Sequence, residues 1–450
     1  MIKNKKPANP DFWNSIPIIF AQNLHEMFKV FKFGGASVKD ADAVRNVGTI
    51  IQKFKGQNLV VVVSAMGKTT NALEDILNAY WKQDGTAIDK LNKLRTFHED
   101  ILAELFSESE SKVHGELEEI FNQLSEKLST TPSDNFHFEY DQIVSLGEVI
   151  STRIVSAYLA TISIDNHWLD ARKLVATNNK WREAKVNWET TEQKIKSAIL
   201  PTQEKGNQLF ISQGFVGHTP EGFTTTLGRE GSDFSAAIFA YALEATDVTI
   251  WKDVPGMLNA DPKWFDNTIL LEKISFREAI ELAYFGASVI HPRTIQPLKR
   301  KNIPLHIKSF VQPEATGSVI QSSEENDSNI PSFIFKMDQV LISLSPRDFS
   351  FVVEENLEEI FAFLNQEGIR MNIMQNGAVS FSFCADKARV DLDKLKAHFE
   401  SDYIVKYNEP LELVTIRHYD QPTIDRVSVG KKIILEQKSR QTARLVMLNI

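Results

Sequence analysis

From residue 28 onwards, short apolar runs alternate with stretches in which apolar residues recur every three or four positions. "KVFKF" and "NLVVVV" are runs of strand length, and "DADAVRNVGTIIQKF" between them has helical spacing. Residues 72–130 are polar overall, but "LNKLRTFHEDILAELF" and "LEEIFNQLSEKL" keep the same helical steps. A helix is predicted at "DQIVSLGEVISTRIVSAYLATI", a strand at "LFISQGF", a helix at "GSDFSAAIFAYALEA", a strand at "DVTIW" and a helix at "SFREAIELAYFGA". Strands that are apolar throughout and alternate with helices predict a parallel sheet covered on both faces. Ligands of such sheets sit beyond the carboxyl ends of the strands.

Near residue 320 the pattern changes. "SSEENDSNIPS" reads as a linker, followed by strand (339–345), helix (355–366), a strand pair (370–384), helix (391–400) and strand (403–407). That order is a ferredoxin-like βαββαβ module. A partial second copy follows, with a strand at "LELVTIRHY", a helix near "TIDRVSVGKKIILEQ" and a strand at "ARLVML". It is short of strands, and "IPLHIKSF" and "GSVIQ", within 302–322, are expected to complete it. Residues 1–27 have no clear periodicity and read as an extension, with Met27 the expected true start. The organisation is therefore α/β: a catalytic-type domain over 28–310 with a mostly parallel sheet and helices on both faces, then modules over 332–407 and 408–450.

Composition narrows the function. With 42% hydrophobic and 24% charged residues in 450, the chain is that of an ordinary globular protein. A net charge of -9 argues against a general nucleic-acid binder or a protein of anionic membrane surfaces, but leaves room for a local basic pocket. No apolar run reaches the ~18 residues of a spanning helix, so no membrane association is expected. The single cysteine, Cys384, rules out an intrachain disulfide and suits a reducing cytoplasm, the expected location.

The candidate chemistry lies at strand ends. "KFGGASV" runs Lys32 into Gly34, Gly35 and Ser37, with a helix soon after. Glycines let backbone N–H groups approach an anion, and a lysine there is a point charge for a phosphate. A tight turn with a snorkelling lysine explains this motif as well. "VVVVSAMGKTTN" ends a second strand in Ser64, Gly67, Thr69 and Thr70. "TTTLGREGSDFSAA" places Arg229, Ser232 and Asp233 at a helix entry, where capping accounts for Ser232 and Asp233 but not for an arginine between glycines. Glu148 in "SLGEVIS" fits a cap or a ligand equally. "WKDVPGMLNADPKW" offers Lys252, Asp253 and Lys263 as a nucleotide grip, or is a decorated loop. His291 in "SVIHP" reads as structural; no second histidine stands at metal-ligand spacing, and no protein metal site is expected.

In their order and spacing, "KFGGASV", "VVVSAMGKTTN", "SLGE", "QGFVG", "TTLGREGSDFSAA", "WKDVPGMLNADP" and "ELAYFGASVIHP" resemble the aspartokinases of the amino-acid kinase superfamily. The resemblance covers residues 28–450, and the two C-terminal modules resemble the paired ACT domains of that family. It implies ATP-dependent phosphorylation of the L-aspartate β-carboxylate to 4-phospho-L-aspartate, the first step towards lysine, threonine and methionine, feedback-regulated through the ACT domains, with magnesium carried by the nucleotide. Lys32 and Asp233 are the implied catalytic residues. ATP is expected on Lys32, Phe33, Gly34, Gly35, Ser64, Lys252, Asp253, Leu258, Lys263 and Ser288. Aspartate is expected on Thr70, Glu148, Arg229 and Ser232, with Asp233 beside them. A carboxylic acid is already ionised at neutral pH, so no general base is needed and Asp233 is expected to orient Lys32 or the substrate ammonium. The chain departs from the family pattern at Ala36 (usually threonine), Glu230 (usually glycine) and Ser288 (usually lysine), and Lys252 stands where many relatives carry threonine. The resemblance further implies a homodimer or dimer of dimers. It also implies an amino-acid effector, lysine favoured over threonine, near Ser345, Phe351, Met374 and Val379. The competing readings are a kinase for another acceptor and a non-catalytic amino-acid sensor.

Overall fold

A computed structural model of the protein describes residues 27–106, 112–205, 208–287 and 290–450. The extension over 1–26 and Ser288 lie outside the described residues. Through the first part of the chain run β1 (Lys29–Phe33), β2 (Leu59–Val63), β3 (His167–Leu169), β4 (Leu209–Gln213), the hairpin β5 (Val216–His218) and β6 (Thr224–Thr226), β7 (Asp247–Lys252), β8 (Lys273–Ser275), β9 (Leu305–Ser309) and β10 (Ser318–Gln321). All but the hairpin form one sheet in the order β3-β4-β2-β1-β7-β9-β10-β8. Every neighbouring pair in it is parallel except β9 with β10.

β1 is central because its residues are apolar on both faces. Phe31 and Phe33 join Val61, Val63 and Trp251 in one core, covered by helices including Ala41–Gln52, Thr69–Lys82 and Leu146–Thr161. Val30 joins Val60, Val62, Val248 and Ile250 in the other, covered by Gly231–Leu243, Phe276–Phe285 and Pro292–Lys301. Side chains alternate along a strand, so Lys32 leaves the sheet on the same face as Val30, towards the Gly231–Leu243 helix. Its register partners are Val62 and Ile250.

The predicted helix at "DQIVSLGEVISTRIVSAYLATI" is two helices, Phe136–Val144 and Leu146–Thr161, meeting at Ser145. By length and composition this stretch could cross a bilayer, but most of it is buried inside the protein. Apolar residues on every side of a helix here mean a core helix.

The C-terminal part is one antiparallel sheet of β11 (Ser332–Pro346), β12 (Met371–Gly377), β13 (Ser380–Asp386), β14 (Tyr403–Arg417), β15 (Lys431–Lys438) and β16 (Thr442–Asn449), in the order β12-β13-β11-β14-β16-β15. Two sequence expectations are corrected here. The strands within 302–322 are β9 and β10 of the large sheet, not part of the second module. The helix expected near "TIDRVSVGKKIILEQ" ends at Ser428, and "KKIILEQK" is β15, separated from it by Gly430 at φ +70°. The missing strand comes instead from β11. Ser332–Lys336 pairs with Leu413–Arg417, while Leu341–Pro346 pairs with Tyr403–Asn408, so β11 and β14 each run through both modules.

Candidate active site

A cleft of about 590 Å³ opens at the carboxyl ends of β1, β2 and β7. Its phosphate-type wall is two turns held against each other. The Ser64 N–H donates to Phe33 O at 3.0 Å, and the Gly67 N–H donates to Gly35 O at 3.0 Å. A Cβ on Gly35 would stand 2.8 Å from Ala65 O and 3.0 Å from Gly67 O, so only glycine permits this approach. Ala36 is exposed and lies outside that contact.

Lys32 Nζ sits 2.7 Å from Asp233 Oδ1, and Lys252 Nζ sits 3.5 Å from Asp233 Oδ2. Lys32 and Asp233 are both buried. Burial alone would raise the Asp233 carboxyl, but the two ammonium groups outweigh it and hold the group below the ordinary range. Asp233 lies in the first turn of the Gly231–Leu243 helix, where a negative charge also meets the positive end of the helix dipole. Gly214 lets this helix entry reach β4, since a Cβ there would lie 2.4 Å from Ser232 Cβ.

Glu148, in the first turn of the Leu146–Thr161 helix, has the opposite environment. It is buried, and its Oε2 has no hydrogen-bond partner. Burial pushes its carboxyl up to about 8, against the smaller pull of the Ala65 N–H and of Lys32. A buried acceptor that lacks a donor is a ready site for an incoming cation. The cleft lining holds four cations (Lys32, Arg182, Arg229, Lys252) and four carboxyls (Glu148, Glu183, Glu230, Asp233).

The structure thus brings together Lys32, Gly35, Ser64, Thr70, Glu148, Arg229, Ser232, Asp233 and Lys252 around one cleft. Phe33 packs away from it, stacked on Trp251 at 5.9 Å, and the Gly34 backbone accepts from the Ser37 N–H at 2.9 Å. Asp253 and Lys263 are exposed, Leu258 bridges to Leu270, and none of the three lines the cleft. Instead their segment is fastened to the small sheet. The Phe333 N–H donates to Asn259 O at 2.6 Å, and Phe265 stacks on Phe333 at 4.6 Å. Ser345, Phe351, Met374 and Val379 all lie in the first small module, the last three of them exposed. His291 caps the Pro292–Lys301 helix, its Nδ1 accepting from the Arg293 N–H at 3.1 Å.

Sequence reasoning missed Arg182 and Tyr140. The Asp141 carboxylate accepts from the Arg182 N–H at 3.1 and 3.0 Å and from the Thr226 hydroxyl at 2.6 Å. This holds Arg182 at φ +66°, with its guanidinium 4.2 Å above the Tyr140 ring. Tyr140 in turn donates to Glu74 at 2.7 Å. Glu230 also has a left-handed backbone, at φ +53°, a conformation that favours glycine.

Residues 27–309, which hold this parallel sheet and the cleft at its strand ends, match the amino acid kinase family. Over 362 residues the chain is 32% identical to the lysine-sensitive aspartokinase 3 of Escherichia coli (strain K12), a match covering 79% of this chain and 78% of that protein. The crystal structure of E. coli aspartokinase III with lysine and aspartate (T-state) superposes with a TM-score of 0.79 at 28% identity, covering 93% of this chain and 95% of that one. The R-state structure of the E. coli enzyme with aspartate and ADP gives 0.74 at 28% identity, covering 93% and 96%. The chain belongs to the amino acid kinase family and, within it, to the aspartokinases.

Proposed function

We propose that the cleft transfers the γ-phosphoryl group of ATP to the β-carboxylate of L-aspartate, giving β-aspartyl phosphate and ADP. A β-carboxylate oxygen attacks the γ-phosphorus as its bond to the bridging oxygen of ADP breaks. No proton needs to move. The obstacle is repulsion between a carboxylate and a polyphosphate, which positioning and positive charge offset. The observation that carries this reading is Lys32, held on Asp233 at 2.7 Å at the mouth of two glycine-bearing turns. Asp233 serves as the aligning partner of Lys32 and Lys252, and is not a base. Arg229 clamps the substrate α-carboxylate, and Glu148 receives its ammonium.

Among the described residues no group of three His, Cys, Asp or Glu side chains forms a metal site. Magnesium is proposed to arrive with the nucleotide, where it would neutralise phosphate charge. The first small module, with Phe351, Met374 and Val379 exposed, is the proposed site of an inhibitory amino acid, lysine before threonine. A homodimer or dimer of dimers and a cytoplasmic location complete the proposal.

The test is ATP-dependent hydroxamate formation with aspartate, glutamate and acetylglutamate in parallel, with lysine or threonine titrated in. Turnover with aspartate alone is expected; turnover with another acceptor in its place would overturn the reading. Arg229→Ala should raise the KM for aspartate, through loss of an interaction of about 1.5–3 kcal/mol, and leave that for ATP near its original value.

A further inference from the structure

The Phe276–Phe285 helix packs on the core below the large sheet, and its outer side faces the small sheet. Between the two lies a second cleft of about 760 Å³, none of whose lining residues lines the catalytic cleft. Arg277 comes from the helix, Arg417 from β14, and Lys438, Arg440 and Arg444 from β15, β16 and the turn between them. Glu281 is the lone carboxylate of the lining. Such a concentration of cations is unexpected in a chain of net charge -9.

Part of this charge is already matched. Arg417 donates to Glu278 at 3.0 and 2.5 Å, both residues being buried, and Lys438 pairs with Glu436 at 2.6 Å. The rest is not. Among the described residues Arg277 and Arg440 form no ion pair, and both are exposed. Arg444 stacks over Phe285 at 5.0 Å and donates to Asn372 O, while its buried Nε has no hydrogen-bond partner. Three guanidinium groups without an ion pair thus line one cleft, whose single carboxylate, Glu281, lies 3.9 Å from Arg417, and each carries forked donors. Apart from Phe285 the lining is polar, which excludes a mainly apolar ligand. Several forks arriving from different directions match the three oxygens of a phosphate better than the two of a carboxylate.

We propose that this cleft binds a small phosphate-bearing anion of multiple charge, which bridges the catalytic unit and the small sheet. The cleft volume falls in the range of small-molecule sites. Bound there, the anion ties the helix to the β15–β16 hairpin and fixes the angle between the two units.

Inorganic pyrophosphate is the probe, titrated calorimetrically into the full chain with and without excess ADP. Binding that persists under ADP is expected. Charge reversal by Arg277→Glu with Arg440→Glu should weaken that binding by about tenfold or more, and leave ADP binding unchanged. Loss of all pyrophosphate binding under ADP would overturn the proposal. So would equal affinity in the double variant, including the case in which that variant changes only the oligomeric state. Arg444→Gln, which keeps an amide donor while removing the charge, gives a second variant should the first fold poorly; unchanged pyrophosphate affinity in it also overturns the proposal.

Discussion

Asp233 holds two ammonium groups with one carboxylate, so its substitution acts on Lys32 and Lys252 together. Asp233→Asn keeps the shape and removes the charge that offsets the repulsion between the two ammonium groups. Steady-state kinetics should show kcat/KM lowered by roughly 100-fold, about 2.7 kcal/mol. The pH profile should lose no ascending limb, since no base has been lost. Glu148 gives a prediction of opposite character. Its folded value of about 8 lies above its ordinary 4.5, so the folded state holds a proton that the unfolded state releases between those values. Its favourable contribution is complete below pH 4.5 and is lost as pH rises through about 8. Glu148→Gln removes that loss. Thermal unfolding should therefore find the variant gaining on the parent protein as pH is raised from 5 to 8, while its KM for aspartate rises. At this scale the meeting of Lys32, Arg229 and Asp233 at one cleft was legible only from the motifs taken together, since a turn explained Lys32 and a cap explained Asp233 when each was read alone. Arg182 was not, because the loop "NNKWREAKVN" has no period and its anchor, Asp141, lies 41 residues away.

Among the elements, the two phosphate-type turns act as a unit whose spacing is set by the missing side chain at Gly35. Gly35→Ala would force the Ala65 and Gly67 carbonyls away, and overpacking of this kind costs about 1–3 kcal/mol. The expected result is a raised KM for ATP with a lowered melting temperature; a raised KM for aspartate alone would contradict the assignment of these turns. Four of the eight strands of the large sheet, β1, β2, β4 and β7, could be read from the sequence, because strands buried on both faces are continuous apolar runs. The small sheet was harder. "KKIILEQK" has too little alternation to separate strand from helix, and only the break at Gly430 marks the change. β9 and β10 were assigned to the wrong sheet because strand pairing is a long-range property that local pattern does not encode.

Across the whole molecule, the segment after β7 links the catalytic and small units. Ala260 and Phe265 share a core with Phe333, Val414 and Ile424, and Arg426 lies 4.0 Å over the Phe265 ring. Phe265→Ala should destabilise the protein by about 3–5 kcal/mol, measured by denaturant unfolding. It should also blunt inhibition by the proposed effector more than it alters the KM for aspartate, because the ring joins the segment after β7 to the sheet that carries the proposed effector site. Equal inhibition in parent and variant would remove Phe265 from that connection.

The two long strands shared by the small modules have a consequence for engineering and for descent. Because β11 and β14 each contribute to both halves, neither half is a transferable cassette. A cut near residue 408 would divide β14 and leave both remnants with unpaired edges. Exchange of effector specificity between relatives must therefore move residues 332–450 as one piece. Mutation within either half is inherited by a single continuous scaffold.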